Sequence, residues 1–270
     1  MAVDRTRHVL GISGGKDSAA LAVYMKQNHP EINLEYFFCD TGCELDETYE
    51  FLDRLKARLG IKITYLSAER GFDHWLKVYK GFLPSATARW CTKQLKIIPI
   101  EKFVGDDEAI SYIAIRADED RDGYISAKDH INPRYPFREA RLVKADIYRI
   151  LEESGVGIPK YYEWRSRSGC YFCFFQRKIE WVGLYDNHPD LFEKAQRYET
   201  EHSDGRKFTW NDNETLSQLL DRREEIISEY NKAEERLKNR KIIRPNMSLA
   251  ESLDALDEEE GFNPCSVCHL

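Results

Sequence analysis

The 270-residue sequence contains no apolar run long enough to cross a membrane. A spanning helix needs about 20 consecutive apolar residues, and no run in this chain approaches that length. The N-terminal residues Met-Ala-Val-Asp-Arg-Thr-Arg also lack the apolar stretch of a secretory signal peptide. These absences predict a cytoplasmic protein that has no membrane partner.

Net positive charge is also lacking, because the formal charge of the chain is −7 at pH 7. The chain as a whole is therefore not built to bind polyanions without specificity. Residues 121–180 depart from this balance, with twelve Lys or Arg against eight Asp or Glu. This stretch predicts either a local basic surface for a nucleotide or a nucleic acid, or an ordinary solvated face. The basic residues that lie close together in it are Arg134, Arg138, Arg141, Lys144, Lys160, Arg165 and Arg167.

Seven cysteines in a chain without a secretory signal argue against structural disulfides and favour metal binding or sulfur chemistry. Cys39 ends an apolar strand pattern and is predicted to be a small buried residue. Cys43 lies in the following turn, where it either faces a substrate or is an incidental loop residue. The other five are the C-x-x-C pairs Cys170 with Cys173 and Cys265 with Cys268, and the single Cys91.

Strand and helix patterns alternate through the first half of the chain, in the order that produces a parallel sheet with helices on both faces. The strands are predicted at residues 8–12, 34–39, 61–66 and 110–115. Helices are predicted at 19–25, 45–59, 72–79 and 92–103, the last with a kink or break near Pro99.

Beyond Arg121 the pattern is irregular until a helix predicted at 144–154. Residues 211–241 have the spacing of an amphipathic helix or a helical hairpin. The sequence therefore predicts an α/β domain over residues 1–180. A mainly helical extension is predicted over 181–270, ending in the tail that carries Cys265 and Cys268.

Residues 11–18 read Gly-Ile-Ser-Gly-Gly-Lys-Asp-Ser, between an apolar strand pattern and a helical pattern. Gly14 and Gly15 allow the backbone to approach an anion closely, and the two serines add hydroxyl groups. Lys16 adds positive charge, and the start of the helix directs free N–H groups to the same place. The loop is predicted to bind the phosphates of an ATP-like ligand; the alternative is a turn that binds nothing.

The spacing of this loop is not that of a Walker phosphate loop, which excludes a kinase or GTPase loop of that type. The run Ser-Gly-Gly-Lys-Asp-Ser resembles instead the pyrophosphate loop of the adenine-nucleotide alpha-hydrolase superfamily. The resemblance implies that the loop holds the β,γ-pyrophosphate while the α-phosphorus is attacked.

Two other segments are predicted to lie at the carboxyl ends of strands, where ligands of such sheets bind. They are the turn that begins with Asp40 and Thr41, and the stretch that begins with Arg116. The carboxylate of Asp17 or Asp40 suits magnesium, which prefers oxygen ligands. Arg116 suits bidentate contact with a phosphate.

Four motifs occur in the order found in the phosphoadenosine-phosphosulfate reductase family, which this chain resembles over about residues 8–180. The resemblance implies a Rossmann-like sheet of the HUP type and a PP-loop ATP pyrophosphatase. The motifs are Asp40-Thr41-Gly42-x-Glu44-x-x-Glu47-Thr48, Arg89-Trp90-Cys91-Thr92-x-x-x-Lys96-x-x-Pro99, Ile115-Arg116-Ala117-Asp118-Glu119 and Ser168-Gly169-Cys170-x-x-Cys173.

The chain departs from the reductases of this family in two places. It lacks the Glu-Cys-Gly-Ile/Leu-His motif near the C-terminus, and Cys91 has no adjacent second cysteine. In its Arg-Trp-Cys-Thr and Leu-Lys-Ile elements it is more similar to the ATP-pyrophosphatase components of Dnd-type and Ssp-type DNA phosphorothioation systems.

This second resemblance implies ATP-dependent sulfur incorporation into nucleic acid, with DNA favoured over tRNA, in a bacterial modification system for antiviral defence. It also implies a cysteine desulfurase as sulfur donor and other subunits of a modification complex as partners. ATP and Mg²⁺ are the implied ligands, and Lys16, Asp17, Asp40 and Arg116 the implied catalytic residues. The predicted nucleotide-binding residues are Ser13, Gly14, Gly15, Lys16, Asp17, Ser18, Asp40, Thr41 and Arg116.

Cys91, Cys170 and Cys173 are expected to converge beside the nucleotide. Three thiolates leave one position of a [4Fe–4S] cluster open for sulfide or for a fourth ligand, which Cys265 or Cys268 would supply. A structural zinc site with four cysteine ligands is the main alternative. The third alternative is that the C-x-x-C pairs act as redox thiols.

Three other functions stay open at this point: reduction of adenylylated sulfate, thiolation of tRNA, and a non-catalytic nucleotide-binding subunit of a larger assembly. The aromatic residues Tyr161, Tyr162 and Trp164 precede Arg165 and Arg167. This interleaving suits stacking of a base beside bound phosphates, and core packing explains the aromatic residues equally well.

Overall fold

A computed structural model describes residues 6–120, 128–201, 207–211 and 214–243. The described residues form two compact units, which divide between Cys173 and Phe174; the sequence pattern placed a division at residue 180. No helix within the described ranges is both long and apolar enough to span a membrane.

A five-stranded parallel sheet forms the centre of the first unit. Its strands are β1 (Arg7–Gly11), β2 (Leu34–Asp40), β3 (Ile63–Ser67), β4 (Ala109–Tyr112) and β5 (Ile131–Arg134). All neighbouring strands are parallel, in the order β3-β2-β1-β4-β5. The α/β prediction is therefore confirmed. The strand order reverses at β1, and ligands of such sheets bind at this position, beyond the carboxyl ends of the strands.

The fifth strand lies in a stretch whose sequence pattern indicated irregular structure. Pro133 is inside β5 and cannot donate a hydrogen bond, which argues against a central strand. The residue is tolerated because β5 is an edge strand, paired only with β4. The strand predicted at 110–115 is also shorter than expected, because β4 ends at Tyr112 and the buried residues that follow lead directly to Arg116.

Seven α-helices accompany the sheet within the described residues of the first unit. They are α1 (Lys16–Asn28), α2 (Asp46–Leu59), α3 (Phe72–Val78), α4 (Trp90–Thr92), α5 (Ile98–Val104), α6 (Pro136–Glu139) and α7 (Lys144–Glu153). Most of α1 is buried, including the fully buried Leu21. Side chains of α1, α2 and α7 share one core with Tyr36 and Phe38 of β2. Phe37 points to the opposite face, where its ring lies 5.6 Å from that of Phe103.

The helical stretch that follows Trp90 is irregular just before Pro99. Residues Lys93–Ile97 form a π-helical turn between α4 and α5, and Pro99 occupies the first turn of α5. Proline has no N–H and clashes with the carbonyl four residues earlier, here that of Leu95. The predicted break is therefore a local widening of the helix, a feature often found at functional sites.

The second unit is mainly helical. It contains α8 (Lys178–Asn187), α9 (Pro189–Arg197), α10 (Leu216–Asp221) and α11 (Arg223–Ile243). Trp181 is fully buried and its ring lies 6.0 Å from that of Trp210, whose Nε1 donates to the Ala195 carbonyl at 2.8 Å. The pattern at 211–241 thus gives two helices that meet at Arg222. A short antiparallel pair, Thr200–Glu201 with Lys207–Phe208, was not predicted.

We expect Leu52→Ala to destabilise the first unit strongly, because Leu52 of α2 is fully buried in the shared core. Removing a buried leucine side chain costs about 2–5 kcal/mol. Arg58→Ala, on the exposed side of the same helix, is the control and should change the unfolding free energy by less than about 0.5 kcal/mol. Urea unfolding followed by circular dichroism measures both. Equal losses in the two variants would contradict this core assignment.

Candidate active site

The loop between β1 and α1 is held by hydrogen bonds among its own groups. Gly14 has a φ of +77°, a conformation that other residues rarely adopt. The Ser13 N–H donates to the Ser18 hydroxyl at 3.0 Å, and that hydroxyl donates to the Gly15 carbonyl at 3.2 Å. The two serine hydroxyls are 3.1 Å apart. The predicted phosphate loop is thus a preformed turn at the start of a helix.

A second segment of the chain covers this loop. It begins in the 3₁₀ turn Lys160–Glu163, where the Tyr161 hydroxyl donates to the Gly14 carbonyl at 2.8 Å. The Lys16 N–H donates to the Tyr162 hydroxyl at 3.3 Å. The Ser168 hydroxyl donates to that of Ser13, also at 3.3 Å. We call residues 161–168 the clamp, because three of their side chains hold the loop.

The sequence left two interpretations of these aromatic residues, base stacking and core packing. Tyr161 fits core packing. The residue is only 1% exposed, and its ring stacks on that of Tyr162 at 5.1 Å. Tyr162 is different, because its hydroxyl lies on an N–H group that a bound phosphate would use. Its ring also lies 5.5 Å from the Lys16 ammonium.

Lys16, Asp17 and Arg116 form a buried network of charges beside the loop. Lys16 Nζ lies 2.7 Å from one oxygen of Asp17, and Arg116 Nη1 lies 3.0 Å from the other. Arg116 also contacts Asp118 at 2.9 Å and Glu119 at 2.5 Å. The structure therefore brings these three predicted site residues together.

The pKa of both cations is raised in spite of burial, which by itself would lower it. For Lys16 the nearby Tyr162 and Asp17 outweigh desolvation and raise the pKa. For Arg116 the carboxylates of Asp17 and Glu119 do the same. Both side chains therefore stay charged at every physiological pH, as groups that stabilise phosphate must.

The turn after β2 is organised by Glu44. This carboxylate accepts hydrogen bonds from the Thr41 hydroxyl at 2.7 Å, the Thr41 N–H at 3.2 Å and the Cys43 N–H at 3.1 Å. Burial raises its pKa, an effect that its hydrogen bonds partly offset. Asp40 accepts from the Gly42 N–H at 2.9 Å and the Tyr49 hydroxyl at 2.8 Å. Both carboxylates therefore hold the turn in place.

The C-x-x-C segment packs on this turn. The Tyr171 N–H donates to the Cys43 carbonyl at 2.8 Å, and the Cys170 sulfur lies 3.3 Å from the Thr41 hydroxyl. Arg165, only 2% exposed, fixes the segment by donating to the Gly169 carbonyl at 3.1 Å and the Cys170 carbonyl at 2.7 Å. One continuous stretch, residues 161–173, thus touches both the phosphate loop and the β2 turn.

Four of the thiols are near enough to affect one another's ionisation. A thiolate at Cys170 or Cys173 would raise the pKa of Cys91, and a thiolate at Cys170 would raise the pKa of Cys43. Burial is the main cause that raises the pKa of Cys91 and Cys170, each to about 12, and it also raises the pKa of Cys43. All five cysteines among the described residues are free thiols. Without a metal, Cys91 and Cys170 are therefore protonated at neutral pH.

The donor type fits a thiolate-bound metal group, since Cys91, Cys170 and Cys173 are half-buried free thiols from two separate segments of the chain. Among the described residues, no three Cys, His, Asp or Glu side chains already stand in the arrangement of a metal site. Cys265 and Cys268, the predicted fourth ligands, lie outside the described residues. Cys43, which the sequence left undecided, lies beside the other thiols.

The basic stretch at 121–180 is mostly neutralised where the structure describes it. Arg134 pairs with Glu139 at 2.9 Å, and Arg138 donates to the Glu119 carbonyl at 3.2 Å. Arg165 is buried against backbone carbonyls. Arg134, Arg138 and Arg165 are thus engaged in contacts within the chain, while the choice between a basic binding surface and an ordinary solvated face stays a prediction.

Sequence reasoning missed the roles of Glu44, Tyr162 and Ser168. Glu44 and Ser168 stand inside motifs, so their positions were visible but their contacts were not. Ser168 leaves no room at the phosphate loop: a Cβ on Gly15 would lie 2.8 Å from its hydroxyl oxygen. Gly15 is thus required by the clamp as well as by a ligand.

Residues 7–126 match the model of the phosphoadenosine phosphosulfate reductase domain. An uncharacterized protein of Methanocaldococcus jannaschii is 28% identical over 210 residues, which cover 73% of this chain and 42% of that protein. The chain therefore spans less than half the length of this archaeal relative.

Two solved structures have similar architecture. One is phosphoadenylyl-sulfate reductase from Candida auris in a phosphate complex, with a TM-score of 0.48 and 12% identity, covering 61% of this chain and 81% of that chain. The other is the U34-tRNA thiolase from Methanococcus maripaludis with its [4Fe–4S] cluster, with a TM-score of 0.42 and 15% identity, covering 73% of this chain and 72% of that chain.

We expect Gly14→Ala to disrupt the loop more than a positive φ alone explains. Its Cβ would lie 2.5 Å from Thr48 Cγ2, whereas a Cβ on Gly60, which is left-handed with a φ of +59° and a ψ of +37°, would meet only the end of Lys26 at 4.0 Å. Left-handed backbone costs a residue with a Cβ about 1–2 kcal/mol, so Gly60→Ala measures that strain alone. Adding Thr48→Ser to Gly14→Ala removes the clashing methyl group and should restore part of the loss. Urea unfolding of the three variants tests this; equal losses at both glycines would contradict it.

We expect iodoacetamide to alkylate the metal-free thiols slowly, with a rate that rises about tenfold per pH unit between pH 8 and 11. Only the thiolate reacts, and a thiol whose pKa is about 12 is ionised to about one part in 10⁴ at pH 8. Peptide mass spectrometry of Cys91 and Cys170 measures the rates, with urea-unfolded protein as the reactive control. A rate independent of pH, or as fast as the control, would contradict burial of these thiols.

Proposed function

We propose that this protein is an ATP pyrophosphatase that adenylates an acceptor for sulfur incorporation into nucleic acid, with the DNA backbone as the acceptor. The observation that carries the proposal is the stretch 161–173, which contacts a preformed phosphate loop at one end and places two cysteines beside other thiols at the other. The loop and the thiols, which the proposal assigns to phosphate and to sulfur chemistry, lie at neighbouring strand ends. The match of residues 7–126 to a sulfur-metabolising domain model supports the same conclusion.

In the first step an oxygen of the acceptor phosphate attacks the α-phosphorus of ATP. A bond forms between them, the bond to the bridging oxygen of the β-phosphate breaks, and pyrophosphate leaves. Lys16, Arg116 and the N–H groups of the loop stabilise the charge that develops on pyrophosphate. The carboxylates of Asp17 and Asp40 would hold Mg²⁺, which suits oxygen ligands and neutralises phosphate charge.

In the second step the adenylated acceptor receives sulfur. A persulfide sulfur, supplied by a cysteine desulfurase and carried on one thiol of the site, attacks the activated phosphorus, and AMP leaves. A second thiol then attacks the carrier sulfur, which releases the thiolated product and leaves a disulfide. An external thiol reductant restores both cysteines. Neighbouring thiols such as Cys170 and Cys173 meet the need for a pair.

Cys91, Cys170 and Cys173 would hold a [4Fe–4S] cluster in the alternative form of this chemistry. Such a cluster, bound by three cysteines, supplies an open iron position for sulfide. The rings of Tyr171 and Phe172, only 6% and 3% exposed, provide an apolar environment on this side of the thiols. Zinc bound by four cysteines would instead make the same residues structural.

The family-model match also favours a second function, reduction of adenylylated sulfate. That reaction needs no ATP and yields sulfite, with electrons from a thiol donor. Incubation of the protein with adenylylated sulfate and a thiol, followed by sulfite assay, separates the two: sulfite formation without ATP would replace the primary proposal.

We expect Lys16→Ala to lower pyrophosphate release from ATP about 10²–10³-fold, the usual effect of removing one group that stabilises a developing anion. Asp17→Ala should act in the same direction, because Asp17 orients both Lys16 and Arg116. Lys62→Ala, at an exposed position before β3, is the control and should keep wild-type activity. Full activity of both site variants would reject the assignment of the loop.

The cluster form of this chemistry predicts that the protein purified without oxygen contains about four iron atoms per chain. Iron content and visible absorption should be lost in Cys170→Ser. They should be kept in Cys39→Ser, because Cys39 is buried on β2 and the other thiols do not shift its pKa. Zinc in place of iron would favour a structural site. Loss of iron in the Cys39 variant as well would show that the metal depends on folding in general.

A further inference from the structure

A basic and aromatic surface lies on α3 and the turn that follows it. We call it the α3 face and define it by the exposed residues Lys77, Val78, Lys80 and Phe82, together with the exposed Lys93. Lys93 begins the adjacent π-helical turn, in which Gln94 Nε2 donates to the Tyr79 hydroxyl at 3.4 Å. Residues 70–93 carry five Lys or Arg and only one Asp, within a chain whose net charge is −7. No carboxylate among the described residues pairs with the three lysines of this face. Their charge is therefore available to an anionic partner.

The turn after α3 presents these side chains in a fixed conformation. Lys80 has a φ of +53°, which is costly for a residue with a Cβ, and Gly81 follows at +78°. The Gly81 N–H donates to the Leu76 carbonyl at 2.9 Å, and the Phe82 N–H donates to the Tyr79 carbonyl at 3.0 Å. The turn is thus closed by hydrogen bonds while Val78 and Phe82 stay 53% and 39% exposed.

Stacked aromatic rings pack beneath the exposed residues of this face. The Trp90 ring stacks on Phe72 at 5.1 Å and on Tyr79 at 4.9 Å, and its Nε1 donates to the Phe82 carbonyl at 3.0 Å. Phe72 in turn contacts Phe172 at 4.3 Å between ring centres. Since Phe172 lies between Cys170 and Cys173 in the chain, the support of the α3 face is in contact with the thiol segment.

We propose that the α3 face binds a single-stranded segment of the nucleic acid, with backbone phosphates on Lys77, Lys80 and Lys93 and a base stacked on Phe82. This proposal rests on the proposed function, because it names the surface that brings the acceptor to the thiols. Cationic side chains beside an exposed aromatic ring are the combination that single strands require. A duplex keeps its bases stacked inside and cannot use Phe82.

The test is fluorescence anisotropy with a labelled twenty-nucleotide oligothymidylate, using the full chain without ATP. Three phosphate contacts predict a slope of about −2 for log K against log salt, at about 0.7 per contact for single strands. The double variant K77E/K80E should weaken binding at least tenfold and flatten this slope. F82A should weaken binding about fivefold or more while leaving the slope unchanged.

The control is R58E/K62E, which reverses two charges at exposed positions on and beyond α2 and should bind within twofold of wild type. Circular dichroism checks that all variants are folded. The proposal is overturned if wild type does not bind the oligonucleotide, if the control loses as much affinity as K77E/K80E, or if a matched duplex binds more tightly than the single strand.

Pyrophosphate release, measured on the same proteins after ATP and Mg²⁺ are added, separates this proposal from the proposed function. If binding depends on the α3 face but the protein releases no pyrophosphate, the proposed binding surface is supported and the adenylation chemistry is contradicted. Pyrophosphate release with no binding at the α3 face would do the reverse.

Discussion

The hydrogen bonds between the clamp and the phosphate loop are the constraint on which the rest of the site depends. Tyr161 and Ser168 hold the carbonyl of Gly14 and the hydroxyl of Ser13, and the clamp continues directly into Cys170. The loop begins at the end of β1, and the thiols lie against the turn at the end of β2. Since β1 and β2 are neighbours in the sheet, one chain segment sets the distance between the phosphate loop and the thiols.

Two cations and three carboxylates meet beside the loop. Lys16 and Arg116 both pair with Asp17, and Arg116 has two further carboxylate neighbours. A ligand must compete with these carboxylates for the two cations, and the Tyr162 hydroxyl must give up the Lys16 N–H. Under the proposed function, the polyphosphate of ATP contacts several loop groups at once, and these contacts compensate for that competition.

The sequence predicted those parts of the site that depend on residues close together in the chain. The strand, the glycines and the helix start of the phosphate loop lie within a dozen residues, so Lys16 and Asp17 could be identified from the pattern alone. β5 could not, because only its position at the sheet edge makes Pro133 acceptable. The same holds for Tyr162, whose contact with Lys16 joins residues 146 positions apart. Cys43 is another case, since its place beside Cys170 depends on the packing of two distant turns.

Oxygen transfer from acceptor to AMP tests the central claim, adenylation of a nucleic-acid phosphate, most directly. DNA labelled with ¹⁸O at its non-bridging phosphate oxygens would be incubated with the protein, ATP, Mg²⁺, a cysteine desulfurase and cysteine, and the AMP analysed by mass spectrometry. If the acceptor oxygen attacks the α-phosphorus, AMP gains one ¹⁸O for each sulfur incorporated. AMP that carries only solvent oxygen, or sulfur incorporation without labelled AMP, would contradict the mechanism.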